Sequence, residues 1–241
     1  MIQLNASTQE FLEQYAPYLK VRKDKIMIKS REGNVTVPSK LYPLTNKRTI
    51  AFFCFANTKP LTPEVEHFET IKKVFDEQEL MTGYCYRNTE RVYAGLLEAG
   101  IPQEDLKTYV GWLLSGSRPV HHCWLVYKDE YLFDGSTFVA DLQAREMIHE
   151  QKITDMQKQR ELLTELMIEN MKRPNSETRA FGKALPTYEY VGTVCVPNDG
   201  RKIYNELIDA YPNHPSYNQA GQNPHGASKT QEMLYKKLNN K

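Results

Sequence analysis

The chain has little net charge, few cysteines and no long apolar run. Its 31 Lys and Arg against 30 Asp and Glu leave a formal charge of +1, which gives no overall field to gather nucleic acid or an acidic membrane surface. Neither is an expected partner. No stretch approaches the roughly 18 consecutive apolar residues of a transmembrane helix; the longest, Ile50-Ala51-Phe52-Phe53-Cys54-Phe55-Ala56, is strand-sized. Met1 to Ser7 lack the basic flank and apolar segment of a signal peptide. A cytoplasmic protein is therefore expected, with export as an effector left open. Of the four cysteines, Cys54, Cys123 and Cys195 stand in apolar, strand-like runs, where a thiol acts as a small buried hydrophobe. Free thiols in a reducing compartment are expected. No CxxC or HExxH spacing occurs, and the neighbours His121 and His122 would project to opposite faces of a strand. No metal and no cofactor are expected.

With 241 residues the chain can bury a sizeable core in one domain with additions. Residues 1–45 read as an N-terminal helix (8–19, behind the capping box Ser7-Thr8-Gln9-Glu10) and a hairpin from Lys25 to Tyr42 turning on Glu32-Gly33-Asn34. Residues 46–140 read as the core. Thr49–Ala56 is a buried strand, and a helix from Thr62 to Glu77 opens on Pro63. The next helix, Cys85–Ala99, has Val92, Leu96 and Ala99 on one face and stops at Gly100. The strands 108–114, 120–127 and 131–134 follow. A helical insertion or cap spans 141–175, breaking near Thr154-Asp155, and 186–197 returns a strand to the core. Asp199 to about Tyr211 reads as a short helix in the tail 198–241, which is otherwise polar and partly disordered around its Asn-, Pro- and Gly-rich stretch 212–230. This order predicts an α+β fold with an antiparallel sheet; the oligomeric state is not legible.

Three residues carry the chemical signal. Cys85, two residues after Gly83, sits at a helix start, where the helix dipole and a neighbouring imidazolium favour the thiolate. The competing reading is a core cysteine at a helix end. A hairpin turning on Lys128–Glu130 sets His122 opposite Asp134 or one register step away, within cross-strand reach. A carboxylate there fixes the imidazole tautomer and stabilises its cation; otherwise Asp134-Gly135-Ser136 is simply a turn. His121 competes with His122, which shares a face with Trp124. Gln78 is a candidate oxyanion donor or a surface glutamine. Tyr84 and Trp124 are candidate groove residues, with core packing the alternative for Trp124.

The run Gly83-Tyr84-Cys85 opening a helix that ends Leu96-Leu97-Glu98-Ala99-Gly100, then His122-Cys123-Trp124, then Tyr131-Leu132-Phe133-Asp134 resembles the transglutaminase-like superfamily over about residues 80–137. The resemblance implies a papain-like α+β core in which Cys85 attacks a carboxamide or carbonyl, His122 serves as base and acid, and Asp134 orients it. Its members include peptidases, amidases, deamidases, crosslinking transglutaminases and inactive scaffolds. The expected activity is therefore cysteine-dependent acyl transfer on an amide, with a protein or peptide substrate; an inactive binding scaffold is the alternative. Arylamine N-acetyltransferases share the Gly-Tyr-Cys helix start. Here, however, Met81-Thr82 precedes it, no Glu stands two residues after Cys85, and no glycine-rich continuation follows Asp134. Acetyl transfer is therefore the minor alternative.

Overall fold

A computed structural model describes residues 19–21, 25–30, 33–38, 52–53, 58–81, 83–115, 118–186, 188–195 and 229–239. A small antiparallel sheet is built from β1 (Leu19–Val21), β2 (Lys25–Ser30) and β3 (Gly33–Pro38), in that order. The expected hairpin is β2–β3, with Ser30 facing Gly33. β1 was not foreseen, and it includes Leu19, the last residue of the expected first helix; the rest of that helix lies outside the described residues. Only Phe52–Phe53 (β4) is described of the strand expected over 49–56. The helix expected from Thr62 starts later, as α1 (Phe68–Glu77). Val65 N–H instead closes a turn onto Thr62 C=O, and His67 in the left-handed region (φ 62°) interrupts the chain before the helix.

The helix α2 (Cys85–Glu98) begins at the cysteine and ends as expected, with Gly100 at φ 86° just beyond it. A 3-10 turn, Gln103–Asp105, leads into β5 (Leu106–Ser115), β6 (Arg118–Tyr127) and β7 (Tyr131–Phe138). Two helices follow, α3 (Val139–Glu150) and α4 (Met156–Asn170). They break where expected, because Asp155 caps α4 by accepting from the N–H groups of Gln157 and Lys158. A single turn, α5 (Asn175–Thr178), and a strand, β8 (Arg179–Gly182), were both missed in the sequence. β9 (Tyr188–Cys195) returns to the sheet. The expected 199–211 helix lies outside the described residues. The tail is not uniformly unstructured: α6 (Lys229–Asn239) packs on α4 and buries Leu234 with Phe138, Ala140 and Met167.

The main sheet runs β4-β9-β5-β6-β7-β8, antiparallel throughout. The fold is thus α+β with an antiparallel sheet, as the element order predicts. Period-two alternation puts Leu106, Leu125, Tyr127 and Phe133 against α1 and α2, in a core completed by Ile71, Phe75, Val92 and Leu96. The opposite face carries Tyr109, Leu113, Trp124, Val126, Tyr188 and Tyr190. Gly192 makes that second layer possible: a Cβ there would lie 2.4 Å from Val110 O and 2.6 Å from Trp124 Cη2. Gly192→Ala is therefore expected to cost about 1–3 kcal/mol through forced overpacking, read as a lower urea midpoint at unchanged slope.

Among the described residues, no helix is long and apolar enough to cross a membrane.

Candidate active site

The site is created where two strands part. β6 and β7 pair only over Leu125–Tyr127 and Tyr131–Phe133. Beyond that, β6 stays on β5, whereas β7 stays on β8, with Asp134 facing Ala180. The first turns of α2 fill the gap. Thr89 Oγ1 donates to Cys123 C=O at 3.1 Å, and Asn88 Nδ2 donates to Gly135 C=O at 3.3 Å and to Ser136 Oγ at 2.8 Å. These side chains take over carbonyls that the parting strands leave without ladder partners. A buried unpaired carbonyl would cost about 1–3 kcal/mol. Cys85 lies one turn ahead of Thr89 on the same helical face, at the mouth of the gap, and is half-buried.

His122 and Asp134 meet inside. His122 Nε2–H donates to Asp134 Oδ2 at 2.7 Å, with side chains only 6% and 1% exposed. Cys85 lies close enough to the same imidazole to favour its charged form; since Nε2 is engaged by Asp134, Nδ1 is the nitrogen left to face sulfur. Asp134 is held on both oxygens: Oδ2 also accepts from Tyr190 Oη at 2.7 Å, and Oδ1 accepts from Ser136 N–H at 2.8 Å. The imidazole lies near-parallel to Trp124 (centroids 6.3 Å, 18°) and 6.0 Å from the Tyr190 ring.

The electrostatics follow from that packing. Burial alone draws the His122 pKa down, but the charge and hydrogen bond of Asp134, helped by Cys85, outweigh it and push it up to about 10. Burial pushes the Asp134 carboxyl up, yet the His122 charge and the hydrogen bonds from His122, Tyr190 and Ser136 hold it below its usual range. A charged imidazole is thus favoured next to a thiol at the start of a helix. The N-cap residue of that helix is Tyr84, and its side chain makes no capping bond. The Cys85 N–H, in the first turn, has no intrahelical carbonyl to bind.

Other expected residues stand elsewhere. Gln78 does not join the site: its amide lies against Gly95, in the third turn of α2, about 15 Å along the helix from Cys85 at 1.5 Å per residue. Trp124 is fully buried and backs the imidazole from within the core, so it lines no groove. Tyr84 is half-buried at the helix start, next to the thiol in sequence. The backbone of His121 faces Trp112 across β5–β6; its side chain is outside the described set. Cys85, Cys123 and Cys195 are free thiols, and Cys54 lies outside the described residues. No group of three or more His, Cys, Asp or Glu is placed to hold a metal among the described residues.

The sequence reading missed Asn88, Thr89, Arg179 and Tyr190. Asn88 and Thr89 had a usable signal, being polar residues on the helix face that carries Val92 and Leu96. Tyr190 had a weaker one, the alternation Tyr188-Glu189-Tyr190. Away from this site, a concavity of about 350 Å³ opens between α3 and α4. In it Tyr188 Oη donates to Asp141 at 2.7 Å, and burial raises the Asp141 carboxyl above its usual range.

Comparison of the chain with protein-family models, with curated proteins and with solved structures finds no match in any of the three.

Proposed function

We propose that this protein is a cysteine-dependent acyl-transfer enzyme acting on amides of a protein or peptide, with Cys85 as nucleophile, His122 as acid and base, and Asp134 as the residue that orients it. The observation that carries the reading is the buried His122–Asp134 pair, closed by Tyr190 and Ser136, beside the half-buried Cys85 at the start of α2. The wedge of a cysteine-bearing helix into an antiparallel sheet supports a core of papain or transglutaminase type.

In this reading the Cys85 thiolate attacks the amide carbon. The oxyanion forms at the helix start, where the Cys85 N–H can donate to it. The His122 imidazolium gives its Nδ1 proton to the leaving amine as the C–N bond breaks, leaving a thioester on Cys85 and a neutral imidazole. Water then attacks the thioester and His122 takes one of its protons; the thiolate leaves as the carboxylic acid is released, to ionise in solvent, and the thiolate–imidazolium pair is restored. Because Asp134 stays ionised throughout, the imidazole keeps one tautomer. The exposed flanks Gly83 and Arg87 leave the thiol reachable by an extended chain.

The test is alkylation by iodoacetamide between pH 5 and 10, with the modified cysteines located by peptide mass. Cys85 is expected to react at pH 6 at least about tenfold faster than a model thiol, and His122→Ala to remove that advantage. Should Cys85 react at pH 6 no faster than Cys195, the reading fails and an inactive scaffold takes its place.

A further inference from the structure

The segment before Cys85 is held by side chains at four consecutive carbonyls. Gln78 C=O accepts from Asn175 Nδ2 at 2.9 Å, Glu79 C=O from Arg91, Leu80 C=O from Arg179 Nη2 at 2.8 Å, and Met81 C=O from Asn88 Nδ2 at 2.7 Å. Asn88 Oδ1 also accepts from Met81 N–H at 3.0 Å. A surface loop with no ladder of its own does not ordinarily have its carbonyls satisfied in this way.

Arg179 joins the two halves of the site. While Nη2 holds Leu80, Nη1 donates to Gly135 C=O, beside Asp134, and Nε donates to Asn175 Oδ1 at 2.9 Å, the residue that holds Gln78. The loop and strand are in close contact there, since a Cβ on Gly135 would lie 2.9 Å from Leu80 Cδ1. Arg179 is 4% exposed; its guanidinium lies 3.8 Å over the Phe138 ring and makes no ion pair with a carboxylate among the described residues. Burial lowers its pKa to about 9, with the charge of Asp134 opposing. If space alone had to be filled, an apolar side chain would do it without desolvating a charge. What the guanidinium supplies is a rigid fork that reaches two carbonyls at a set separation.

We infer that Arg179 is a positioning residue, its fork fixing the distance between the Cys85 loop and the strand bearing Asp134, and so the placement of Cys85 against His122. This rests on the acyl-transfer reading and adds to it what sets the geometry of the pair.

The experiment compares full-length wild type, Arg179→Met and Arg179→Lys by Cys85 alkylation from pH 5 to 10, alongside far-UV circular dichroism and thermal melts. For folded Arg179→Met the rate at pH 6 is expected to fall about 10- to 100-fold, since a misplacement of about 1 Å can cost 100-fold. The rate at pH 10, where any thiol reacts, is expected to stay within about threefold of wild type. Arg179→Lys, whose single ammonium cannot span both carbonyls in the same geometry, is expected to recover part of the loss. A folded variant with the wild-type pH profile overturns the inference; should Arg179→Met not fold, Arg179→Lys decides in the same way. A wild type whose Cys85 shows no advantage at pH 6 overturns the acyl-transfer reading and this inference with it. A reactive wild type with unchanged Arg179 variants removes only the inference.

Discussion

Cys85→Ala is expected to lower amide cleavage by about 10⁴- to 10⁶-fold, as loss of the nucleophile does when the triad acts as a unit. The measurement is release of amine or ammonia from a panel of peptide amides and unfolded proteins, with wild type and variant side by side. The change removes one sulfur from a half-buried position at a helix start, and alanine suits the first turn of a helix. The fold should therefore survive, with a melting temperature within a few degrees of wild type. Full turnover in the variant would dismiss Cys85 as nucleophile. Loss of turnover with an intact melt assigns the chemistry to the sulfur.

Asp134→Asn is expected to act on both activity and stability. The amide presents His122 Nε2 with an oxygen or an NH2 but no charge, so the favoured tautomer and the imidazolium both lose support. A fall of about 10²- to 10⁴-fold in kcat/KM follows. Removing one partner of a buried pair costs about 3–5 kcal/mol. The two groups set a pH window for that cost. The Asp134 carboxyl is held below its unfolded value of 3.8, so its contribution is present above that pH and fades as pH falls through the folded value. The His122 imidazole is raised from 6.5 to about 10, so its contribution is full below about pH 6.5 and fades as pH rises towards 10. Wild type should therefore exceed the variant most between about pH 4 and 6.5, and by much less at pH 9.5. Urea denaturation at pH 5.5 and 9.5 measures the difference. An equal margin at both pH values would mean that His122 is neutral in the folded protein.

The pair was legible in the sequence because local patterns determine it. Apolar alternation places β6 and β7, and the turn at Lys128–Glu130 sets their register. That register, Leu125 opposite Phe133, puts His122 and Asp134 on one face and close together, although the ladder itself ends before either residue. The start of α2 was equally local, with Gly83 before it and Gly100 after it. Gln78 shows where this kind of reading fails. Its proximity to Cys85 in the chain suggested a shared site, but the chain turns after α1, and the amide is left against Gly95 instead. Trp124 was correctly placed on the face of His122, yet a strand pattern does not tell which face is covered, and Tyr109 and Tyr190 cover this one.

By itself, then, the sequence determined the α+β element order, the helix that starts at Cys85 and the shared face of His122 and Asp134, all of which depend on periodicity and turn chemistry over a few residues. Only the tertiary structure decided that β6 and β7 part where α2 enters and that Asn88 and Thr89 take over the freed carbonyls. It alone brought Tyr190 onto Asp134, and Arg179 across to Leu80 and Gly135. Those contacts join residues 34 to 99 positions apart. No local preference encodes such contacts, which arise when the strands, the helix and the preceding loop are packed together and each buried polar group must find a partner.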